Sequence, residues 1–143
     1  MNESAELPLK NYKMPLEEKQ IYILDDDESV LRSLKLLMVS YGFAVDVFSS
    51  AEKFFSAVPT SSTGCLIMDI HMPGVNEEDV QQKFLESGYS CSVIIITGDK
   101  SDHVKEKAIK QGAVAVFHKP FDVEELIQTI NHVLDKAEKA NKE

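Results

Sequence analysis

Three aspartates and a lysine carry the chemistry of this chain. Ile21-Tyr22-Ile23-Leu24 runs directly into Asp25-Asp26-Asp27, and Cys65-Leu66-Ile67-Met68 runs into Asp69. Val114-Ala115-Val116-Phe117 leads through His118 to Lys119-Pro120. Each is an apolar run of strand length with a charge at its carboxyl end. Strands of a parallel sheet point their carboxyl ends the same way, and open α/β sheets bind ligands in the crevice there. If the three runs are parallel neighbours, Asp25, Asp26, Asp69 and Lys119 converge. Carboxylates with one ammonium are suited to a hard divalent cation and a phosphate-like group. Two carboxylates about 4–5 Å apart repel by roughly 3–4 kcal/mol at an effective dielectric of 20. A divalent cation removes that penalty and screens a carboxylate that must attack an anionic phosphoryl donor.

The elements that would position these groups alternate along the chain. Strands are expected at Ile21–Leu24, Ala44–Phe48, Cys65–Met68, Ser92–Thr97 and Val114–Phe117. Between them lie helical patterns at about Glu28–Tyr41, Ala51–Ala57, Glu77–Glu86 and Ser101–Gln111, and the last helix opens at Asp122. Val30, Leu31, Leu34, Leu37, Met38 and Tyr41 form the apolar stripe of the first helix. Leu126, Ile127, Ile130, Val133 and Leu134 form that of the last. Gly42, Gly88 and Gly112 stand where helices stop, and Ser50 and Asp122 stand where they start. Val93-Ile94-Ile95-Ile96 reads as a central strand. Five β-α units in order imply right-handed crossovers and a doubly wound α/β sheet. Residues 1–19 read as a flexible extension, 20–136 as the folded domain and 137–143 as a polar tail that frays.

The bulk properties agree with one such domain. A chain of 143 residues is large enough to bury roughly 68–70% of its unfolded surface. A formal charge of −9 disfavours non-specific binding to nucleic acid or anionic membrane. No stretch approaches the roughly 20 apolar residues of a membrane span. The start of the chain lacks a signal-peptide core, so a cytoplasmic location is expected. Cys65 and Cys91 begin apolar runs and read as small buried residues. Asp27, Glu28 and Ser29 read as a helix start, and His103 and His132 as solvent-facing. His118 is expected to face a partner surface or water.

The motifs together resemble the receiver domain of bacterial two-component response regulators. Asp25-Asp26 follows the first strand, Asp69 is followed by Met72-Pro73, Thr97-Gly98 follows the fourth strand, and Lys119-Pro120-Phe121 follows the fifth. Phe48-Ser49-Ser50-Ala51-Glu52 and Ile96-Thr97-Gly98-Asp99 are similar to the FixJ-like subfamily. The resemblance covers about residues 20–136. It implies a CheY-like fold of five parallel strands in the order 2-1-3-4-5. It also implies Mg²⁺-dependent phosphorylation by a histidine kinase or phosphotransfer protein.

Carried over by residue, the resemblance makes Asp69 the phosphoacceptor. Asp26, Asp69 and the His71 carbonyl would ligate Mg²⁺, with Asp25 acting mainly through water. The Thr97 hydroxyl and the Lys119 ammonium would hold the phosphoryl group, and Gly98 leaves room beside it. The expected output is a change in the face of the fourth helix, fifth strand and fifth helix, through which the domain would form a homodimer or dock a partner. Two positions depart from the family pattern. Glu77 stands where a glycine is common, with Gly74 nearby. Val116 stands where a switching aromatic is common, and period-two alternation puts Phe117 on the opposite face.

Two other readings use the same residues. Haloacid-dehalogenase-like phosphatases also place an aspartate nucleophile at a strand end, but they need a second aspartate two positions on, where this chain has His71. A phosphorylation-independent receiver acting as an interaction module would typically have lost an acidic or lysine position, and this chain keeps them all. The domain is therefore read as a phospho-accepting regulator and not as an enzyme beyond its own phosphorylation and dephosphorylation.

Overall fold

In the computed structural model, residues 19–69 and 77–142 are described, with side chains for 19–69 and 79–136. The alternating pattern gives Gln20–Leu24 (β1), Glu28–Ser40 (α1), Ala44–Phe48 (β2), Ala51–Ala57 (α2), Cys65–Asp69 (β3), Glu77–Glu86 (α3), Ser92–Thr97 (β4), Asp102–Lys110 (α4), Ala115–His118 (β5) and Val123–Lys142 (α5). The five strands form one parallel sheet in the order β2-β1-β3-β4-β5. β1, β3 and β4 lie inside the sheet and are almost wholly buried, which is why they read as continuous apolar runs. β2 and β5 are the edges and are only partly buried or exposed along their length.

Side chains alternate across the strands, so the sheet has two apolar layers. Leu24, Leu66, Met68, Val93 and Ile95 face α2, α3 and α4, where Phe54, Val80, Phe84 and Ala108 meet them. Ile21, Ile23, Ile67, Ile94 and Ile96 face α1 and α5, where Leu31, Met38, Leu126, Ile127, Ile130 and Leu134 meet them. Phe54 is fully buried at the centre of an aromatic cluster, with edge-on contacts to Tyr22, Phe48 and Phe55. Both cysteines are buried free thiols, and burial pushes Cys91 up to about 11.

Helix ends follow the sequence signals. Asp27 caps α1 by accepting from the amides of Ser29 and Val30. Ser50 caps α2 and Ser101 caps α4. Gly42 and Gly112 follow α1 and α4 with φ of +94° and +105°, a region L side chains rarely adopt.

Three details differ from the sequence pattern. Tyr41 is 47% exposed and forms the C-cap of α1 instead of joining its buried stripe. β5 begins one residue later than the apolar run: Val114 is 48% exposed, and its amide donates to Val93 O at 2.8 Å. α5 runs on through Lys142, into the stretch expected as a polar tail at 137–143. Among the described residues, no helix is long and apolar enough to cross a membrane.

Candidate functional site

β1, β3, β4 and β5 end at the same edge of the sheet, and their next residues supply the site. Asp25 follows β1 and is 3% exposed, Asp69 closes β3 at 9%, and Thr97 closes β4 at 0%. Asp26 is exposed beside them, and Lys119 is partly buried just beyond β5. Three of these polar residues are therefore withdrawn from water in a chain whose buried groups are otherwise mostly apolar. Such groups persist only with partners.

The partners are one another. Lys119 Nζ donates to Asp69 Oδ2 at 2.6 Å. The Lys119 amide donates to the Thr97 carbonyl at 2.8 Å, which ties the residue after β5 back to the end of β4. Asp25 Oδ1 accepts from the Asp27 amide at 2.9 Å. The Asp69 carboxylate is close enough to act on the Asp25 carboxyl. Burial pushes Asp25 up to about 6; the Asp27 amide opposes this, the neighbouring Asp69 charge adds to it, and Lys119 pulls it back. Asp27 lies lower than an ordinary carboxylate, because it accepts from the Ser29 hydroxyl and from the amides of Ser29 and Val30. That is the helix-start role expected of it.

Thr97 Oγ1 accepts from the Asp99 amide at 3.0 Å. A hydroxyl that uses its oxygen this way keeps its hydrogen to donate elsewhere. Asp99 Oδ1 in turn accepts from the Ser101 amide at 2.9 Å, so this carboxylate helps to start α4. A Cβ built on Gly98 meets nothing within 4 Å, so the space beside Thr97 is open.

The structure thus brings Asp25, Asp69, Thr97 and Lys119 together, with Asp26 exposed at the same edge. His71, Met72, Pro73 and Gly74 lie outside the described residues, as does the Glu77 side chain. Among the described residues, no group of three or more His, Cys, Asp or Glu side chains is gathered to hold a metal by itself. The donor set still fits Mg²⁺. Two neighbouring buried carboxylates, one pushed up by burial and by the other's charge, are what a hard divalent cation relieves. Mg²⁺ commonly takes only one or two carboxylates and completes its shell with water and phosphate oxygens.

Several features were not foreseen. Gln81 is 4% exposed and donates from Nε2 to the Ala108 carbonyl at 2.8 Å, joining α3 to α4. Glutamine on a helix reads as surface, and only the partner at the far end of the contact reveals it. Nε2 of His118 is buried and has no hydrogen-bond partner among the described residues. His103 and His132 are exposed, as expected. Val116 packs with the α2-α3-α4 layer and Phe117 with the α1-α5 layer, as the alternation required. Phe121, read only as part of the lysine motif, stands edge-on to Phe117 with centroids 6.5 Å apart and planes at 74°.

Comparison with known proteins agrees with this geometry. Residues 21–131 match the family model of the response regulator receiver domain. The response regulator protein TodT of Pseudomonas putida is 45% identical over 117 residues, covering 82% of this chain and 52% of TodT. The transcriptional regulatory protein FixJ of Bradyrhizobium diazoefficiens is 34% identical over 122 residues, covering 85% of this chain and 60% of FixJ. The chain thus spans about half the length of the curated relatives it matches. The crystal structure of a response regulator receiver protein from Burkholderia phymatum superposes with a TM-score of 0.70 at 36% identity, covering 82% of this chain and 95% of that one. With the aspartates, threonine and lysine gathered at the carboxyl edge of a 2-1-3-4-5 sheet, this chain belongs to the response regulator receiver domain family.

Proposed function

We propose that this domain is a phospho-accepting switch of a two-component system, and that Asp69 takes the phosphoryl group from a histidine kinase or phosphotransfer protein. The observation that carries the reading is the 2.6 Å contact of Lys119 Nζ with Asp69 Oδ2 beside the buried Asp25. It supports a carboxylate held in place with a cation ready to receive added negative charge.

In the transfer, a carboxylate oxygen of Asp69 attacks phosphorus. The bond from phosphorus to the donor imidazole nitrogen breaks, the nitrogen keeps the electron pair, and the imidazole takes up a proton. The product is an acyl phosphate on Asp69. Asp26, Asp69 and the His71 carbonyl would hold Mg²⁺, with Asp25 reaching it through water. When bound, Mg²⁺ screens the carboxylates and offsets the charge developing on the phosphoryl oxygens. Lys119 follows the new negative charge, and the Thr97 hydroxyl hydrogen is placed to donate to it. Hydrolysis by water returns Asp69 to the carboxylate.

The phosphoryl group carries about −1.5 to −2 at neutral pH in place of the carboxylate's −1. Lys119 directly follows β5 and Thr97 leads into α4. Their movement repacks the face of α4, β5 and α5, which then forms a homodimer or docks a partner. No nucleic acid or membrane is bound through this domain.

Incubation with acetyl phosphate and Mg²⁺, followed by intact mass spectrometry and measurement of released phosphate, tests the reading. A regulator accumulates one phosphoryl group per chain. A phosphatase consumes donor without accumulating it, and an interaction module does neither.

A further inference from the structure

On the α1-α5 side of the sheet, directly beneath the carboxylates, lies a cavity of about 60 Å³. Asp25, Asp69 and Lys119 border it, and its remaining walls are apolar, including Val30 and Leu34 of α1 and the ring of Phe121. Well-packed interiors leave few voids larger than a water molecule. A void beside an aromatic ring is a place the ring can enter without displacing its neighbours.

Phe121 is also tied to the reacting group. Only Pro120, whose ring fixes φ, separates it from Lys119. Lys119 in turn is held by its ammonium to Asp69 and by its amide to Thr97. At the position where the family carries a switching aromatic, Val116 has no ring to move. It also sits in the opposite layer of the core. The ring contact of Phe121 is with Phe117, on the layer that contains the cavity.

We propose that Phe121 is the moving aromatic of this domain: when Asp69 carries a phosphoryl group, the ring leaves its edge contact with Phe117 and pivots into the cavity against Val30 and Leu34. The inference rests on the phosphoacceptor reading of Asp69. Lys119 is drawn from the carboxylate towards the phosphoryl oxygens, and Phe121 follows through the rigid proline. The cavity is smaller than a phenyl ring, so an edge of the ring enters and the rest keeps its packing on the α1-α5 layer. The signal then reaches α1 and the start of α5 as well as α4.

Nuclear magnetic resonance of the whole chain, with and without beryllofluoride and Mg²⁺, tests this. In the native protein, activation should bring new cross-relaxation between the Phe121 ring and the methyls of Val30 and Leu34, and shift those methyls upfield. In Phe121→Leu the methyl shifts should fall to less than half, while the amides of Asp69 and Thr97 respond as before. If those amides move but the native Phe121 ring and the Val30 and Leu34 methyls do not, the proposal is wrong and the phosphoacceptor reading stands. If the Asp69 and Thr97 amides do not respond at all, the phosphoacceptor reading is wrong and this proposal falls with it.

Discussion

The ammonium of Lys119 meets the carboxylate of Asp69 at 2.6 Å although β4 lies between their two strands. The contact spans the ends of three parallel strands, so it exists only when β3, β4 and β5 are in register. Asp69 pairs with Ile96, and Thr97 with His118, which sets Lys119 one residue beyond the sheet and within reach.

Lys119→Met should leave Asp69 acceptable as a phosphoryl acceptor but uncouple it from output. The lysine side chain is 39% exposed, so its loss should cost stability only on the order of 1 kcal/mol. Phosphorylation measured on Phos-tag gels should persist within about tenfold, about 1.4 kcal/mol of barrier. Phosphorylation-dependent association measured by light scattering should disappear. Normal association of the phosphorylated variant would show that Lys119 carries no signal.

Asp25 predicts an unusual pH dependence for the metal-free domain. Its carboxyl is raised from 3.8 to about 6, so the folded state holds a proton that the unfolded chain releases. Stability from this group is full below pH 3.8 and is lost as pH rises through about 6. The loss amounts to at most about 3 kcal/mol at neutral pH. Asp25→Asn should therefore raise the melting temperature in EDTA at pH 7.5 by several degrees and leave it nearly unchanged at pH 4. Added Mg²⁺ should stabilise the native protein more than the variant. Equal melting temperatures of native and variant proteins in EDTA at both pH values would contradict the assignment.

His71, two residues after Asp69, and Asp99, two after Thr97, flank the site along the chain, so they are expected to orient or exclude the water that hydrolyses the acyl phosphate and thereby to set its lifetime. Asp99 is half-buried and its Oδ1 is engaged by the Ser101 amide, so its removal should also loosen the start of α4. His71→Ala and Asp99→Ala should each change the dephosphorylation rate more than the phosphorylation rate. Unchanged lifetimes in both would remove the idea.

Signal transmission through Thr97 has its own test. Its hydroxyl oxygen is occupied by the Asp99 amide, so Thr97→Val removes both that bond and the donor to the phosphoryl group. A shift from mostly inactive to mostly active needs up to roughly 5.5 kcal/mol of differential stabilisation. Loss of one charge-assisted donor should remove about 1.5–3 kcal/mol of it. With beryllofluoride and Mg²⁺, amide shifts from Ser101 to Ile130 should be prominent in the native protein and several-fold smaller in Thr97→Val. Changes confined to residues around Asp69 in the native protein would mean that nothing reaches the α4-β5-α5 face.

Much of this was legible in the sequence because burial leaves a simple trace. Val93-Ile94-Ile95-Ile96 could only be an interior strand, and Asp69 after Cys65–Met68 had to stand at a sheet edge. Edge and end positions were less legible. Val114 continues the apolar run of β5 yet is exposed, since hydrophobicity does not distinguish an edge from a core. Lys142 ends a helix whose last turns carry no apolar stripe. The Gln81–Ala108 bond and the Phe117–Phe121 pair depend on contacts between layers. Periodicity within one element does not encode them. The raised Asp25 carboxyl likewise needed the depth of the crevice and the position of Asp69, not only the two motifs.

The most direct test is peptide mass spectrometry of the native protein and of Asp69→Asn after incubation with acetyl phosphate and Mg²⁺. The native protein should gain one phosphoryl group on the peptide containing Asp69, none in the presence of excess EDTA, and the variant none at all. Phosphorylation of Asp69→Asn at the native rate and on the same peptide would contradict the assignment of Asp69 as the phosphoacceptor.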